Sequence, residues 1–219
     1  GSVIGVLVEN LGTVNAEKII LTTGTFLNGV MYSGKTKKYG GRLGEKPSIP
    51  LSKRMYGMGL PMGRLKTGTP PRIKLSSLNL EVMDEQPGDL PTPFMSSLQK
   101  QHAHPKQLSC YITRTSATTK KIIEEDLHLS AMYSGQIHGI GPRYCPSIED
   151  KVVKFKNKDT HQVFIEPEGV NTDLVYPNGI SSSLPIETQD QFVRTITGLE
   201  DSVITEYGYA VEYDFVDPR

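Results

Sequence analysis

The chain has 219 residues, with Lys+Arg and Asp+Glu balanced at 24 each, so no global basic field points to nucleic acid and any RNA contact must come from local patches. Hydrophobic residues make up 37%, enough for one large or two small domains with a real core, and no apolar run approaches the roughly 20 residues of a membrane span. The two cysteines, Cys110 and Cys145, make neither a zinc cluster nor a dense disulfide framework, which favours a reduced, cytoplasmic setting.

Residues 3–8 and 12–14 flank the turn-like Glu9-Asn10-Leu11 and predict a β-hairpin. Residues 18–23 form a short β-branched apolar run ending at Gly24, the pattern of a buried strand whose tip meets another backbone or a ligand. Residues 34–46 predict a surface loop whose Lys35, Lys37, Lys38 and Arg42 surround Gly40-Gly41 and suit phosphate contact. Pro47 and Pro50 stiffen the turn around Ser48, which either caps that turn locally or presents its hydroxyl and N–H to a ligand. A short helix follows.

Gly57, Gly59 and Gly63 do not form a dinucleotide fingerprint, because the third glycine is one residue late and Pro61 interrupts. Gly139-Ile140-Gly141 fails too, with Tyr144 where the third glycine belongs. Arg64, Lys66 and Arg72 lie beside the stiff Pro70-Pro71, which reads as a domain boundary. Residues 73–107 are polar and proline-broken, with a strand-like piece at 78–83, and predict the start of a small inserted domain.

Residues 110–113 predict a strand, and 116–129 a helix with Ile122, Ile123 and Leu127 inward. Residues 162–166 read as a strand, Tyr176-Pro177-Asn178-Gly179 as a turn, and Leu184-Pro185 as the start of a helix burying Phe192, Ile196 and Leu199. At the end, Tyr209, Val211, Tyr213 and Phe215 alternate with Ala210, Glu212 and Asp214, the period-two pattern of a half-buried strand.

One stretch concentrates the chemistry. It comprises Gly141, Pro142, Arg143, Tyr144, Cys145, Pro146, Ser147, Ile148, Glu149, Asp150, Lys151, Val152, Val153, Lys154 and Phe155. A helix begins either with Cys145 as N-cap and Pro146 at the first helical position, or with Ser147 as N-cap and Asp150 as its capping partner. Both registers place Ile148, Val152 and Phe155 on one face. The Cys145 thiol then lies near helix N-terminal amides and beside Arg143, which favours thiolate and attracts anions, while Glu149 and Asp150 oppose both effects. A buried structural thiol is the competing reading. The five histidines are scattered, and the close pair His102 and His104 has no carboxylate or cysteine nearby to complete a metal site.

Several motifs recur together, in order: Gly24-Thr25-Phe26-Leu27-Asn28-Gly29, Gly40-Gly41-Arg42, Gly63-Arg64-Leu65-Lys66-Thr67-Gly68-Thr69-Pro70-Pro71-Arg72, Cys110-Tyr111-Ile112-Thr113, the 141–151 segment and Glu212-Tyr213-Asp214-Phe215. With them the chain resembles the glucose-inhibited division protein A (GidA, MnmG) family. The family is the FAD-dependent subunit of the bacterial tRNA wobble-uridine modification enzyme. The resemblance implies an α/β, mixed α+β fold: part of a Rossmann-type FAD-binding domain at 1–70, an inserted smaller domain at 71–140, and the nicotinamide segment with a return to the first domain at 141–219. It implies FAD, NADH and methylenetetrahydrofolate as cofactors, tRNA and the MnmE GTPase as partners, a homodimer, and a cytoplasmic location. Ser48 matches the family's FAD-contacting serine, residues 141–155 its proposed NAD-binding segment, and Cys145 one of two cysteines needed for chemistry. Arg143 matches a position suited to tRNA phosphate or substrate.

The family's N-terminal FAD fingerprint and second cysteine have no counterpart in the chain, so the expectation is a central fragment that does not hold FAD or turn over alone. Arg114 stands where many members carry His, and receives no role. Two other readings compete: a non-catalytic tRNA-docking module using Lys35, Lys37, Lys38, Arg42, Arg64, Lys66 and Arg72, and a generic flavin/nicotinamide oxidoreductase domain.

Overall fold

A computed structural model of the chain describes residues 2–98, 104–141 and 145–219. Two short strands, β1 (Gly5–Val8) and β2 (Gly12–Asn15), form the expected antiparallel hairpin. Asn10 adopts a positive φ of 69° in its turn, a conformation its short polar side chain tolerates.

Two larger sheets carry the rest. The first has the order β4-β3-β12-β5, formed by β3 (Val30–Ser33), β4 (Thr36–Tyr39), β5 (Met62–Thr69) and β12 (Tyr209–Val216), with helix α1 (Ile49–Gly57) between β4 and β5 in sequence. The second has the order β11-β6-β10-β9-β8-β7. Its strands are β6 (Arg72–Lys74), β7 (Asp84–Gln86), β8 (Cys110–Arg114), β9 (Gln162–Pro167), β10 (Leu174–Asn178) and β11 (Ile204–Glu206). Pro70-Pro71 lies where the chain passes from one sheet to the other, and the chain rejoins the four-stranded sheet at Tyr209. Strands β9, β10 and β11 pair with β6, β7 and β8, so the second sheet draws on residues from Arg72 to Glu206.

Every pairing between named strands is antiparallel. The only parallel pairings among the described residues are the isolated bridges Leu27↔Ser48 and Leu65↔Ile140. The Rossmann-type arrangement expected from the resemblance is not shown by the described residues, whose named strands pair antiparallel throughout. Parallel strands need crossover helices to return the chain to the same end of the sheet, whereas most neighbours here are joined as hairpins or by long excursions. The fold is mixed α/β with two open antiparallel sheets.

Helices α2 (Ala117–Glu125), α3 (Ile148–Lys154) and α4 (Ile186–Val193) cover the six-stranded sheet. One apolar cluster joins Ile73, Val163, Ile165 and Val175 of the strands to Ile123, Ile148, Val152, Phe192 and Val193 of the helices. Ile196 and Leu199, just beyond α4, complete it as expected, each fully buried. Ser116 caps α2 in a reciprocal box with Thr119, and Ser147 caps α3 in the same way with Asp150. The Ser147 register of α3 is the one adopted. Ending the helix at Lys154 leaves Phe155 half exposed, outside the apolar face assigned to it.

Other expectations give way. Residues 18–23 form no strand, and Ile20 and Leu21 are exposed at 87% and 54%, because a β-branched run stays unordered without a neighbour to hydrogen-bond. The 34–46 loop contains β4, paired to β3 from Val30↔Tyr39 to Ser33↔Thr36. The strand-like 78–83 piece is instead a 3₁₀ turn, Leu80–Val82, opened by Asn79 accepting from the Glu81 N–H. Tyr176, Pro177 and Asn178 lie in β10, and only Gly179, with φ 110°, turns. Finally, in β12 the residues most deeply buried are Ala210, Glu212 and Asp214, on the side read as polar, along with Val211.

Candidate functional site

Cross-strand register explains that inversion. β5 places Arg64 directly opposite Asp214 and Lys66 opposite Glu212, so two cations and two carboxylates share one face of the β5–β12 pair. Arg64 donates to Asp214 Oδ1 at 2.5 Å and to Glu212 Oε2 at 3.0 Å, its planar fork reaching both acids at once. Ser52 of α1 donates its hydroxyl to Asp214 Oδ2 at 2.5 Å. Glu212 Oε1 accepts the backbone N–H groups of His138 and Gly139 at 2.9 and 2.6 Å. Burial pushes the Glu212 carboxyl up, but the Arg64 and backbone hydrogen bonds outweigh it and hold the group below the usual glutamate value.

This clamp positions the segment that leads to Cys145. The Ile140 carbonyl accepts from the Lys66 N–H at 3.1 Å, so residues 139–140 lie along the free edge of β5. Gly139 permits that approach, since a Cβ there would sit 3.0 Å from the Leu65 carbonyl carbon and 3.2 Å from Glu212 Cγ. Beyond residues 142–144, Cys145 Sγ lies 3.2 Å from the Thr67 hydroxyl on the opposite face of β5 from Arg64 and Lys66. Cys145 is half-buried and free of any disulfide, as is Cys110.

Thr67 also lines a cavity of about 540 Å³. Thr25, Phe26, Arg42, Arg72 and Tyr209 form much of its wall. Arg72 is paired with Glu168 and stacks 4.4 Å above the Tyr176 ring, and Arg42 pairs with Glu45. Neither Cys145 nor Ser48 lines this cavity. Each is one contact away: Cys145 through Thr67, and Ser48 through Phe26, whose carbonyl accepts the Ser48 N–H at 2.7 Å. Ser48 stands as N-cap of α1, yet its side chain makes no capping bond, so the reading of it as a local side-chain cap fails.

The start of α3 differs from the anion-binding helix end expected there. Ser147 Oγ takes the Asp150 N–H at 3.2 Å, Asp150 Oδ2 takes the Ser147 N–H at 3.0 Å, and the Ile148 N–H donates to the Ser181 carbonyl at 2.8 Å. Three amides that could have drawn a phosphate or favoured a thiolate at Cys145, those of Ser147, Ile148 and Asp150, are spent on the protein itself. Asp150 also lies 3.7 Å from the buried Lys66 ammonium and accepts from the Tyr133 hydroxyl at 3.1 Å. Burial opposes its ionisation, and these partners overcome it, leaving its carboxyl below the ordinary aspartate value.

Ser147, Ile148, Glu149 and Val152 are buried. Glu149 accepts from Ser130, Ser182 and Ser183 through one oxygen. Of the described residues in the 141–155 segment, Gly141, Cys145, Pro146, Asp150, Lys151, Val153, Lys154 and Phe155 keep exposed surface. Pro142, Arg143 and Tyr144 lie outside the described residues, as does His102 of the histidine pair. Among the described residues no three His, Cys, Asp or Glu side chains gather as a metal site. No helix among them is long and apolar enough to cross a membrane.

Arg64, Lys66 and Arg72 are removed from the basic surface by their ion pairs, Lys66 being only 2% exposed. Lys35, Lys37, Lys38 and Arg42 remain exposed.

The architecture is thus that of a mixed α/β protein in which a buried ionic clamp holds His138 and Gly139 against β5 and β12, while Cys145 meets Thr67 beside a cavity. A family model for Glucose inhibited division protein A matches residues 1–219, and the chain belongs to that family. Among solved structures, Aquifex aeolicus GidA in its form II crystal is 42% identical with a TM-score of 0.82, the match covering 98% of this chain and 34% of that one. The form I crystal of the same protein is 44% identical, also with a TM-score of 0.82, covering 98% of this chain and 38% of that one. The chain spans little more than a third of the length of those structures.

Proposed function

We propose that this chain is the central part of an FAD- and NADH-dependent enzyme that, with the MnmE GTPase, adds an aminomethyl or carboxymethylaminomethyl group to C5 of the tRNA wobble uridine, in the cytoplasm. The observation that carries the reading is the half-buried thiol of Cys145 held 3.2 Å from Thr67, a wall residue of the 540 Å³ cavity. In this reading Cys145 supplies the reacting thiol. The Thr67 hydroxyl orients it and donates to its thiolate. The Arg64–Glu212 clamp holds the approach segment still.

A flavin, when bound, carries electrons between the nicotinamide and the one-carbon unit. The described residues fit one border of such a site, since the Ser48 hydroxyl makes no capping bond and Gly44 leaves its stretch of the cavity wall open. At the start of α3 the Ser147, Ile148 and Asp150 amides are already bonded within the protein, so a dinucleotide there relies on other groups of the segment.

The test is Cys145→Ser in the full-length protein, with wobble-uridine modification read by mass spectrometry. We expect modification to vanish with the thermal midpoint unchanged. Normal levels of modified uridine would overturn the role of Cys145.

A second reading, tRNA docking, rests on four exposed cations, Lys35, Lys37, Lys38 and Arg42, along and beside edge strand β4. Four phosphate contacts predict that log affinity falls with log salt at a slope of about 3 to 4. A flat dependence would remove it.

A further inference from the structure

We propose that a second cavity, on the flank of α3 below Cys145, is a binding site for a phosphate group. It has a volume of about 350 Å³, and Pro146, Lys151, Phe155, Lys158, His161 and Gly179 line much of it. Its wall carries three basic side chains and no carboxylate. Asp159, next to Lys158 in sequence, pairs with Lys120 at 3.2 Å, and Glu166 of β9 accepts from the Asn178 amide at 3.0 Å.

His161 and Lys151 are held in place, and none of the three basic groups has an acidic partner among the described residues. His161 is pinned by its backbone, its N–H donating to Thr115 Oγ1 at 2.7 Å and its carbonyl accepting the Thr115 N–H at 2.9 Å. Its Nε2 is shielded from solvent and has no hydrogen-bond partner, an exception to the rule that buried polar atoms are paired. Burial, then the charges of Lys151, Lys158 and Lys120, push the imidazole pKa down. Burial also lowers that of Lys151, whose ammonium donates to the Gly179 carbonyl at 2.8 Å and forms no ion pair among the described residues. Gly179 matters here, because at φ 110° a Cβ would sit 3.2 Å from that ammonium. Lys158 stands 5.5 Å above the Phe155 ring, likewise without an ion pair among the described residues.

An anion resolves these deficits together. It accepts from the remaining Lys151 protons, from Lys158 and from a protonated His161. Donors arriving from three directions match a tetrahedral phosphate better than a planar carboxylate. The half-exposed Phe155 ring at the rim offers a face to whatever the phosphate carries. The site stands on these residues whether or not α3 serves a nicotinamide cofactor. A free nucleotide and an RNA backbone both present this chemistry.

The experiment is a titration of the 219-residue chain with inorganic pyrophosphate, followed by the ¹⁵N signals of the His161 ring. The expected result is a saturable shift with a rise in the His161 pKa. Lys158→Ala, an exposed position, should weaken binding by about tenfold with the fold unchanged by circular dichroism. No saturable shift, or equal affinity in Lys158→Ala, overturns the site. Competition by a nucleoside 5′-monophosphate supports a nucleotide source, and competition by an oligonucleotide with only internal phosphodiesters supports an RNA source. Competition by neither, or equally by acetate, overturns the phosphate assignment.

Discussion

The two sheets are stabilised by opposite means. The six-stranded sheet rests on a continuous apolar cluster in which Phe192, Ile165, Val175 and their neighbours are completely buried. The four-stranded sheet has only a small apolar cluster, including Val30, Tyr32, Ile137 and Ala210, and sinks Arg64, Lys66, Glu212 and Asp214 into its interior. Apolar burial is non-directional and tolerates repacking. Hydrogen-bonded charges are not tolerant, because removing one partner strands the others. The segment leading to Cys145 is attached to the second kind of interior. Precision of placement, more than total stability, is what this ionic interior supplies.

Four measurements sharpen or break that contrast. Phe192→Ala should have the largest effect, a loss of about 3–5 kcal/mol in urea unfolding, because it opens a cavity in the apolar cluster. Arg64→Met should cost about 2–3 kcal/mol, below the fully buried range because the Arg64 side chain keeps 26% of its exposure. It should also release the His138 and Gly139 amides to faster hydrogen exchange, whereas Phe192→Ala should not do so selectively. Equal exchange in both variants would dissolve the distinction.

The third measurement is acid titration. The folded Glu212 and Asp150 carboxyls lie below their ordinary values of 4.5 and 3.8, so their stabilisation is complete above those values and is lost as pH falls beneath them. Arg64→Met should flatten the Glu212 part of that acid limb. The smallest effect belongs to the exposed Lys121–Glu125 pair, where Lys121→Ala should stay within about 0.5 kcal/mol of the parent.

The apolar half was legible in the sequence and the ionic half was not. Phe192, Ile196 and Leu199 declare a buried face through spacing alone, and Ser147 offers its helix start because its capping partner Asp150 lies three residues on. The hairpin at Asn10 and the strand at 209–216 were equally visible. The covered face of β12 was not legible, because alternation tells two sides apart without saying which is covered. Arg64 and Lys66, two residues apart, facing Glu212 and Asp214, two residues apart, carried the missing signal. It could be read only once β5 and β12 were known to pair across nearly 150 residues of chain. Residues 18–23 misled for a related reason, since a β-branched run states a preference and only a neighbouring backbone fulfils it.

Asp150 Oδ2 deserves a last consequence. It accepts the Ser147 amide and hydroxyl while facing the Lys66 ammonium, so the first turn of α3 and the middle of β5 converge on a single oxygen. The cysteine lies five residues ahead of that atom on one side, and Lys151, in the phosphate cavity, follows it directly on the other. That oxygen acts as a fulcrum: lengthening its lever with Asp150→Glu would keep the charge yet displace both arms together.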